Sequence, residues 1–332
     1  MLNKPTVLAI TVAPLQEALQ QYGIEFDALA HRAGLDPGLL TEPNARYPAA
    51  ALQKLWEFSA AQSGDPLFGF RVGNLVRPGT FHALGLGIVS STSVIAALNR
   101  VQRYSSIVST NGRLALLHQD GLVCLEMRPD QLSVMPTIHC VDALVVGLCR
   151  ILVQCAGPSA APARVAFIRP RPAPAHTYRE IFGCPVDFDG PRIAIWFDAA
   201  AAARPVLSGN AELAAEADKL SARYIDQLAP DSTAARVRSL LLKAMPSGEF
   251  GRDAIARSLN QSSSTLQRRL RDEGSSYQEL LDATRHELAL DYLRQGRHSL
   301  VDVAFLLGFT DQSNFTRAFR RWTGKTPREY LS

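Results

Sequence analysis

The stretch SLVDVAFLLGFTDQSNFTRAFRRWTGKTPREY, residues 299–330, reads as two short helices across a tight turn. Ser299 with Asp302 three residues on is a helix start, because both side-chain oxygens can take up backbone N–H groups that have no helical partner. Val303, Ala304 and Leu307 then form an apolar face. Gly308 stops the helix where a residue without Cβ is comfortable, Phe309 packs back beneath it, and Thr310 and Asp311 cap the next helix. That next helix has two stripes. Phe315, Ala318, Phe319 and Trp322 face inward, and Gln312, Ser313, Thr316, Arg317 and Arg320 face outward. An outward row of amides, hydroxyls and guanidinium groups can match the donor and acceptor pattern of base edges in a major groove. An ordinary amphipathic helix pair with a solvated polar face would share the pattern.

The pattern occurs twice, and the repetition favours the base-reading interpretation. Upstream, RDAIARSLNQSSSTLQRRLRDEG, residues 252–274, holds a first helix with Ile255, Ala256 and Leu259 inward, a polar turn, and a second helix with Leu266 and Leu270 inward. Aligning Leu266 with Phe315 puts Ser264, Gln267, Arg268 and Arg271 on the same outward stripe as Ser313, Thr316, Arg317 and Arg320. Between the units, Ser276 with Glu279 opens a joining helix that carries Leu280, Leu281, Thr284, Leu288 and Leu293 on one side and ends at Gly296. About twenty helical residues span ~30 Å, enough to hold two reading helices about one DNA turn (~34 Å) apart.

On these residues the C-terminal region, 232–332, resembles the DNA-binding domain of AraC/XylS-type bacterial transcription regulators. The signature runs as Val303-Ala304, Gly308-Phe309, Phe315, Arg317, Phe319, Gly324, Thr326-Pro327 and Tyr330. The resemblance implies two helices entering successive major-groove segments of double-stranded DNA. The matching positions for base contact are Ser264, Gln267 and Arg268 in the first unit and Gln312, Ser313, Thr316 and Arg317 in the second. Ser264 is smaller than the side chain that members often carry there. Gly324-Lys325-Thr326-Pro327 matches the family's closing turn and fits a structural or phosphate-side role.

A chain of 332 residues is expected to form two domains. A hydrophobic content of 47% with 20% charged residues belongs to an ordinary globular protein, not a disordered one. The net charge of +4 lies wholly in residues 231–332, which hold 16 basic and 12 acidic side chains. Phosphate contact requires such an excess, and its small size leaves room for shape and base contacts in the affinity. No stretch reads as the apolar run of about 18 residues that a membrane helix needs, and the short apolar segment after Lys4 is a poor signal peptide. Five cysteines, Cys124, Cys140, Cys149, Cys155 and Cys184, include no C-x-x-C pair. Structural zinc and a disulfide framework are disfavoured, buried thiols outrank redox sensors, and a reducing cytoplasm is the expected location.

Residues 14–108 read as mainly helical, with breaks at Gly34–Pro37 and Asn44–Pro48, a helix over Ala50–Ser63, a short helix between Pro66 and Pro78, and another over Ser93–Val108. Trp56, Phe68, Phe70 and Tyr104 are assigned to core packing. After Asn111-Gly112 the texture changes. Leu114–Leu117 and Leu122–Met127 form a hairpin across Asp120-Gly121. Pro136–Cys155 is a long apolar helix, Ala163–Arg169 a strand and His176–Phe182 a short helix. Val186–Phe188 and Ile193–Phe197 are two strands on either side of Asp189-Gly190-Pro191. This N-terminal stretch resembles the arabinose-binding-type effector domain of a subgroup of the same regulators, through Gly34-Leu35-Asp36, Gly79–Gly85 (GTFHALG), Tyr178–Asp189 (the run YREIFGCPVDFD) and Arg204-Pro205-Val206. The resemblance implies a small-molecule effector but names neither a sugar nor any ligand-binding residue.

An enzyme has no support. Cys184 lacks the Pro-Cys-His-Arg context of the repair methyltransferases that carry similar DNA-binding units. No G-x-S-x-G, H-E-x-x-H, P-loop or dinucleotide fingerprint occurs, and His82 and His139 are lone. Leu213, Leu220, Tyr224 and Ile225 recur at helical spacing in a segment that is either a connector or a dimerisation helix. Pro230 with Asp231 or Ser232 marks the boundary after it, and a helix over Thr233–Met245 ends at Pro246-Ser247-Gly248.

The expected architecture is an α+β effector domain (1–210), a linker or dimerisation helix (211–231) and an all-α domain with two helix-turn-helix units joined by a long helix (232–332). The expected function is sequence-specific DNA binding controlled by a small effector, without catalysis, cofactor, metal or membrane attachment. RNA polymerase is a further partner if the protein is an activator, and a homodimer is a second assembly to test. The alternative makes the N-terminal domain a protein-interaction or dimerisation module without a ligand.

Overall fold

A computed structural model describes residues 4–42, 44–172, 176–228, 233–245, 248, 250–273, 275–295, 298–323 and 326–331. The expected boundary at Pro230–Ser232, the stops at Pro246-Ser247 and Gly296, and Gly324-Lys325 of the closing turn lie outside them. The chain forms two compact units, Met1–Ile225 and Asp226–Ser332.

The first unit begins with helices α1 (Ala13–Gln21), α2 (Phe26–Ala33), α3 (Ala49–Ser63) and α4 (Phe68–Leu75), followed by α5 (His82–Val89) and α6 (Val94–Val108). Gly34, at φ +80°, ends α2 in the left-handed region. Ser93 accepts the Ala96 N–H and so caps α6. The inward faces of α1 to α4 meet around Leu15, Leu19, Leu55 and Phe68, all fully buried. Each such side chain contributes about 1.5–3 kcal/mol by leaving water. Where the sequence shows only a break, Arg46–Pro48 (β2) pairs with Thr6–Leu8 (β1) in a small antiparallel sheet. The Arg46 guanidinium fixes this sheet by donating to Thr6 Oγ1 (2.8 Å) and to the Ile107 carbonyl (2.7 Å).

A five-stranded sheet follows, built from β3 (Leu114–Gln119), β4 (Leu122–Met127), β5 (Arg164–Ala166), β6 (Val186–Asp187) and β7 (Ile193–Asp198) in the order β3-β4-β7-β5-β6. The Asp120-Gly121 turn has both residues at positive φ, +52° and +74°, as a two-residue hairpin loop requires. The strands flanking Asp189-Gly190-Pro191 do not pair with each other. β7 inserts between β4 and β5, while β6 lies at the edge, parallel to β5. Helix α7 (Ile138–Ala156) is long and apolar enough to cross a membrane by length and composition alone, contrary to the sequence expectation. Its apolar residues include Val141, Val145, Ile151 and Leu152, which are buried within this unit. Helix α4 approaches it closely, and a Cβ added at Gly69 would stand 2.4 Å from the His139 carbonyl oxygen. On α7, buried Asp142 accepts two bonds from Arg169 (2.7 and 3.1 Å) and one from the Tyr178 hydroxyl (3.2 Å). Tyr178 belongs to α8 (His176–Phe182). The unit ends with α9 (Ala199–Ala202) and the start of α10 (Ala211–Leu228). Along α10, Ala214, Ala217, Ser221 and Tyr224 are buried, and Asp218 pairs with Arg100 at 3.0 Å. Leu213 and Leu220 are half exposed.

The second unit is all helical: α11 (Thr233–Ala244), α12 (Arg252–Ser258), α13 (Ser263–Asp272), α14 (Tyr277–Gln295), α15 (Leu300–Leu306), α16 (Gln312–Thr323) and α17 (Pro327–Leu331). Glu273 holds the start of α11 by accepting the Thr233 and Ala234 N–H groups, each at 2.8 Å. Ser276–Glu279 and Ser299–Asp302 both form the reciprocal caps that their spacing implies. Leu266, Leu270, Phe315 and Phe319 are fully buried.

Candidate DNA interface and effector cavity

The two helix-turn-helix units share their turn geometry. In the first, α12 ends at Asn260, at φ +55°, and the Gln261 N–H returns to the Ala256 carbonyl at 3.0 Å. In the second, α15 ends at Gly308, at φ +70°, and the Phe309 N–H returns to the Ala304 carbonyl at 2.9 Å. The helix that follows is capped in each case, α13 by Ser262 and α16 by Asp311. The second turn is one residue longer than the first, because Ser262 lies two residues after Asn260 and Asp311 three after Gly308.

On α13, Ser264, Gln267, Arg268 and Arg271 are exposed above buried Leu266 and Leu270. On α16, Ser313, Arg317 and Arg320 are exposed, and Gln312 and Thr316 are half-buried, above buried Phe315, Ala318 and Phe319. Each helix therefore brings its sequence-predicted residues onto one outward stripe. Among the described residues Arg268, Arg271 and Arg320 have no ion-pair partner, which leaves three cations free for an anionic surface. Ser264 shares its hydroxyl with Ser262 Oγ at 3.0 Å, a local bond at the cap.

Arg317 differs from the other arginines because it is held. Its Nη2 donates to Asn314 Oδ1 at 2.5 Å. Asn314 Nδ2 in turn donates to Asp311 Oδ2 (2.7 Å) and Thr310 Oγ1 (2.8 Å). Asp311 thus does more than cap α16, and Asn314, which the linear pattern gives no role, links it to Arg317. The spacing Asp311, Asn314, Arg317, each one helical turn from the next, carries the signal. A second feature invisible in the linear pattern is Arg285 on α14. It donates to the carbonyls of Leu307 (2.9 Å) and Gly308 (3.0 Å) at the end of α15, and its guanidinium lies 4.5 Å from the Phe309 ring and 5.5 Å from that of Phe250. Burial pulls its pKa below the ordinary arginine value. These bonds satisfy carbonyls left over at a helix end and fix the second turn to the joining helix.

The first unit contains a cavity of about 170 Å³. One wall is the sheet, where Met127 sits opposite Leu114 and Ile193, and Leu125 opposite Ile195, so these five side chains share one face. The other walls are Phe81 and Leu84, from the Gly79–Gly85 stretch, with Ile88 of α5, Val101 and Val108 of α6, and Leu144, Val145 and Leu148 of α7. Glu126 also borders the cavity, but it alternates to the opposite sheet face, where its carboxylate accepts from Arg192 at 2.8 Å. Polar lining comes from Ser105, Ser109, Asn111 and Arg113. Burial pushes the thiols of Cys140 and Cys149 up to about 12, and those of Cys124 and Cys184 to about 11, so none is poised as a thiolate.

Residues 23–206 match the family model described as the N-terminal arabinose-binding domain of AraC transcription regulators, and residues 255–332 match a helix-turn-helix domain model. The ornithine utilization regulator of Pseudomonas aeruginosa is 30% identical over 317 residues, covering 95% of this chain and 93% of its own length. The transcriptional regulator VirS of Mycobacterium tuberculosis is 27% identical over 329 residues, with the same two coverages. The solved structure of the transcriptional regulator CdpR from Pseudomonas aeruginosa aligns with 97% of this chain and 98% of its own, at 23% identity and a TM-score of 0.49.

Proposed function

Because the chain belongs to the AraC family of transcription regulators, in the group with an arabinose-binding-type N-terminal domain, we propose that its first unit senses a small molecule and its second reads promoter DNA through α13 and α16. The observation that carries the reading is the pair of matched outward stripes, each an array of hydroxyl, amide and guanidinium groups on a helix with a fully apolar reverse face. Arg268 and Arg317 are the principal base readers, suited to the O6 and N7 acceptors of guanine. Arg271 and Arg320, one turn further along, approach phosphates. Gln267, Gln312, Ser313 and Thr316 complete the reading surface, with Ser264 at its edge.

Control requires an effector that binds one state of the protein better than another. The cavity in the first unit supports such a site. The protein acts in the cytoplasm, as a monomer or homodimer, and contacts RNA polymerase if it activates. Binding to selected and mismatched duplexes tests the DNA half. Arg268→Ala and Arg317→Ala should each cost about 1–3 kcal/mol at the selected site and relax preference at one base position. Equal weakening on every duplex would instead make that arginine a phosphate contact.

A further inference from the structure

We infer that the molecule sensed by the first unit is small, uncharged and hydrocarbon-like, and that the cavity holds it by shape without any charged contact. The inference rests on the reading that this unit senses a small molecule, and adds the chemical class of that molecule.

Among the described residues no charged side chain faces the cavity. The sheet presents Leu114, Leu125, Met127, Ile193 and Ile195 to it. Glu126 lies on the opposite sheet face, bound to Arg192, and Arg113 precedes inward-facing Leu114, so alternation turns it to that opposite face as well. The helical walls bring buried Leu84, Ile88, Val101, Val145 and Leu148. His82 sits between Phe81 and Leu84 in the chain, but its ring packs on Tyr224 of α10, with centroids 4.8 Å apart. The polar rim bonds within the protein. Ser105 Oγ donates to the Gln102 carbonyl (3.3 Å), and Ser109 Oγ accepts the Asn111 N–H (3.1 Å). The Asn111 amide donates to the Val134 carbonyl (2.6 Å) and accepts the Ser133 and Val134 N–H groups (3.1 and 3.0 Å).

A carboxylate, an ammonium group or a sugar placed in this space would give up its water with little in exchange. A hydrocarbon gains by leaving water for such walls. Size sets the second limit, since an apolar cavity of ~150 Å³ accepts benzene. At about 170 Å³ the space suits a body of roughly six to eight carbons. Leu144 lines the cavity while remaining 40% exposed, which places an apolar side chain at its mouth.

The test is calorimetric titration and thermal shift of the full chain with toluene, benzoate, benzylamine, arabinose and ornithine, backed by a broad metabolite panel. Toluene should bind and raise the unfolding midpoint. At neutral pH benzoate and benzylamine should each bind at least about tenfold more weakly, because the same ring then carries a charge that must shed its water. Either one binding as tightly as toluene overturns the uncharged class. Crystals of the full chain grown with bromobenzene locate the site, with the bromine signal expected between Leu84, Val101 and Ile195, and a bromine bound only elsewhere overturns the assignment to this cavity. Val101→Phe, which fills the cavity, should weaken toluene at least about tenfold, with folding checked by circular dichroism. Unchanged toluene affinity in the folded variant overturns the same assignment, and if the variant misfolds the bromine position decides alone. Binding of arabinose, ornithine or another polar metabolite without toluene overturns the apolar class and leaves the sensing reading intact. No midpoint shift with any compound overturns both, and favours a protein-interaction role for the first unit.

Discussion

Replacing Gly308 with alanine adds one Cβ at a residue whose φ is +70°. In that left-handed conformation an L side chain costs roughly 1–2 kcal/mol. The same Cβ would stand 1.9 Å from Phe250 Cζ and 2.6 Å from Cε1. The Phe250 ring must therefore leave its place beside Arg285, adding about 1 kcal/mol or more for forced repacking. The expected loss is about 2–4 kcal/mol in total. Hydrogen exchange of the α15 and α16 amides across a urea series reads it locally, apart from the first unit. Phe250→Ala separates the two contributions, because it removes the collision but not the backbone strain. The double variant should lose less than the two single variants combined, by about 1 kcal/mol. Strict additivity would refute the close approach of Phe250 to the second turn, and a neutral Gly308→Ala would refute the turn reading itself.

Asn314→Ala should release Arg317 from its Asn314–Asp311 anchor and weaken binding to the selected duplex, less than Arg317→Ala does and with most of the change in the dissociation rate. Unchanged kinetics would show that the anchored rotamer is not the one that reads DNA. Burial holds the Asp142 carboxyl up at about 6, against the opposing influence of Arg169 and Tyr178. The folded state thus retains a proton that the unfolded chain releases near 3.9, so this contribution is present at pH 4 and lost as pH rises through 6. Asp142→Asn should destabilise at both ends, with a penalty smaller at pH 7 than at pH 4 by on the order of 2 kcal/mol. Urea unfolding at the two pH values checks it, and a penalty that grows with pH would mean that Arg169 keeps the carboxylate ionised throughout.

Local chemistry was readable from the sequence because its signals span three or four residues. Ser299 with Asp302, Ser276 with Glu279 and the Asp120-Gly121 hairpin all formed as their spacing implies. Non-local pairings were not readable. Nothing in the run around Asp189-Gly190-Pro191 shows that β7 inserts between β4 and β5 while β6 goes to the edge, because strand order depends on partners dozens of residues away. The cavity was hidden for the same reason, since three helices and a sheet contribute to it. Helix α7 shows the converse, with a composition that suits a membrane and one face buried against protein. At α13 and α16 the outward stripes were legible from periodicity alone. The Asn314 anchor and the Arg285 brace were not, because a polar side chain does not announce its partner.

Selection of binding sites from random duplexes by the purified protein tests the central claim most directly. The expected result is two short conserved blocks about one helical turn (~34 Å) apart, one relaxed by Arg268→Ala and the other by Arg317→Ala. A single block, or enrichment without sequence preference, would contradict the claim that α13 and α16 together read DNA.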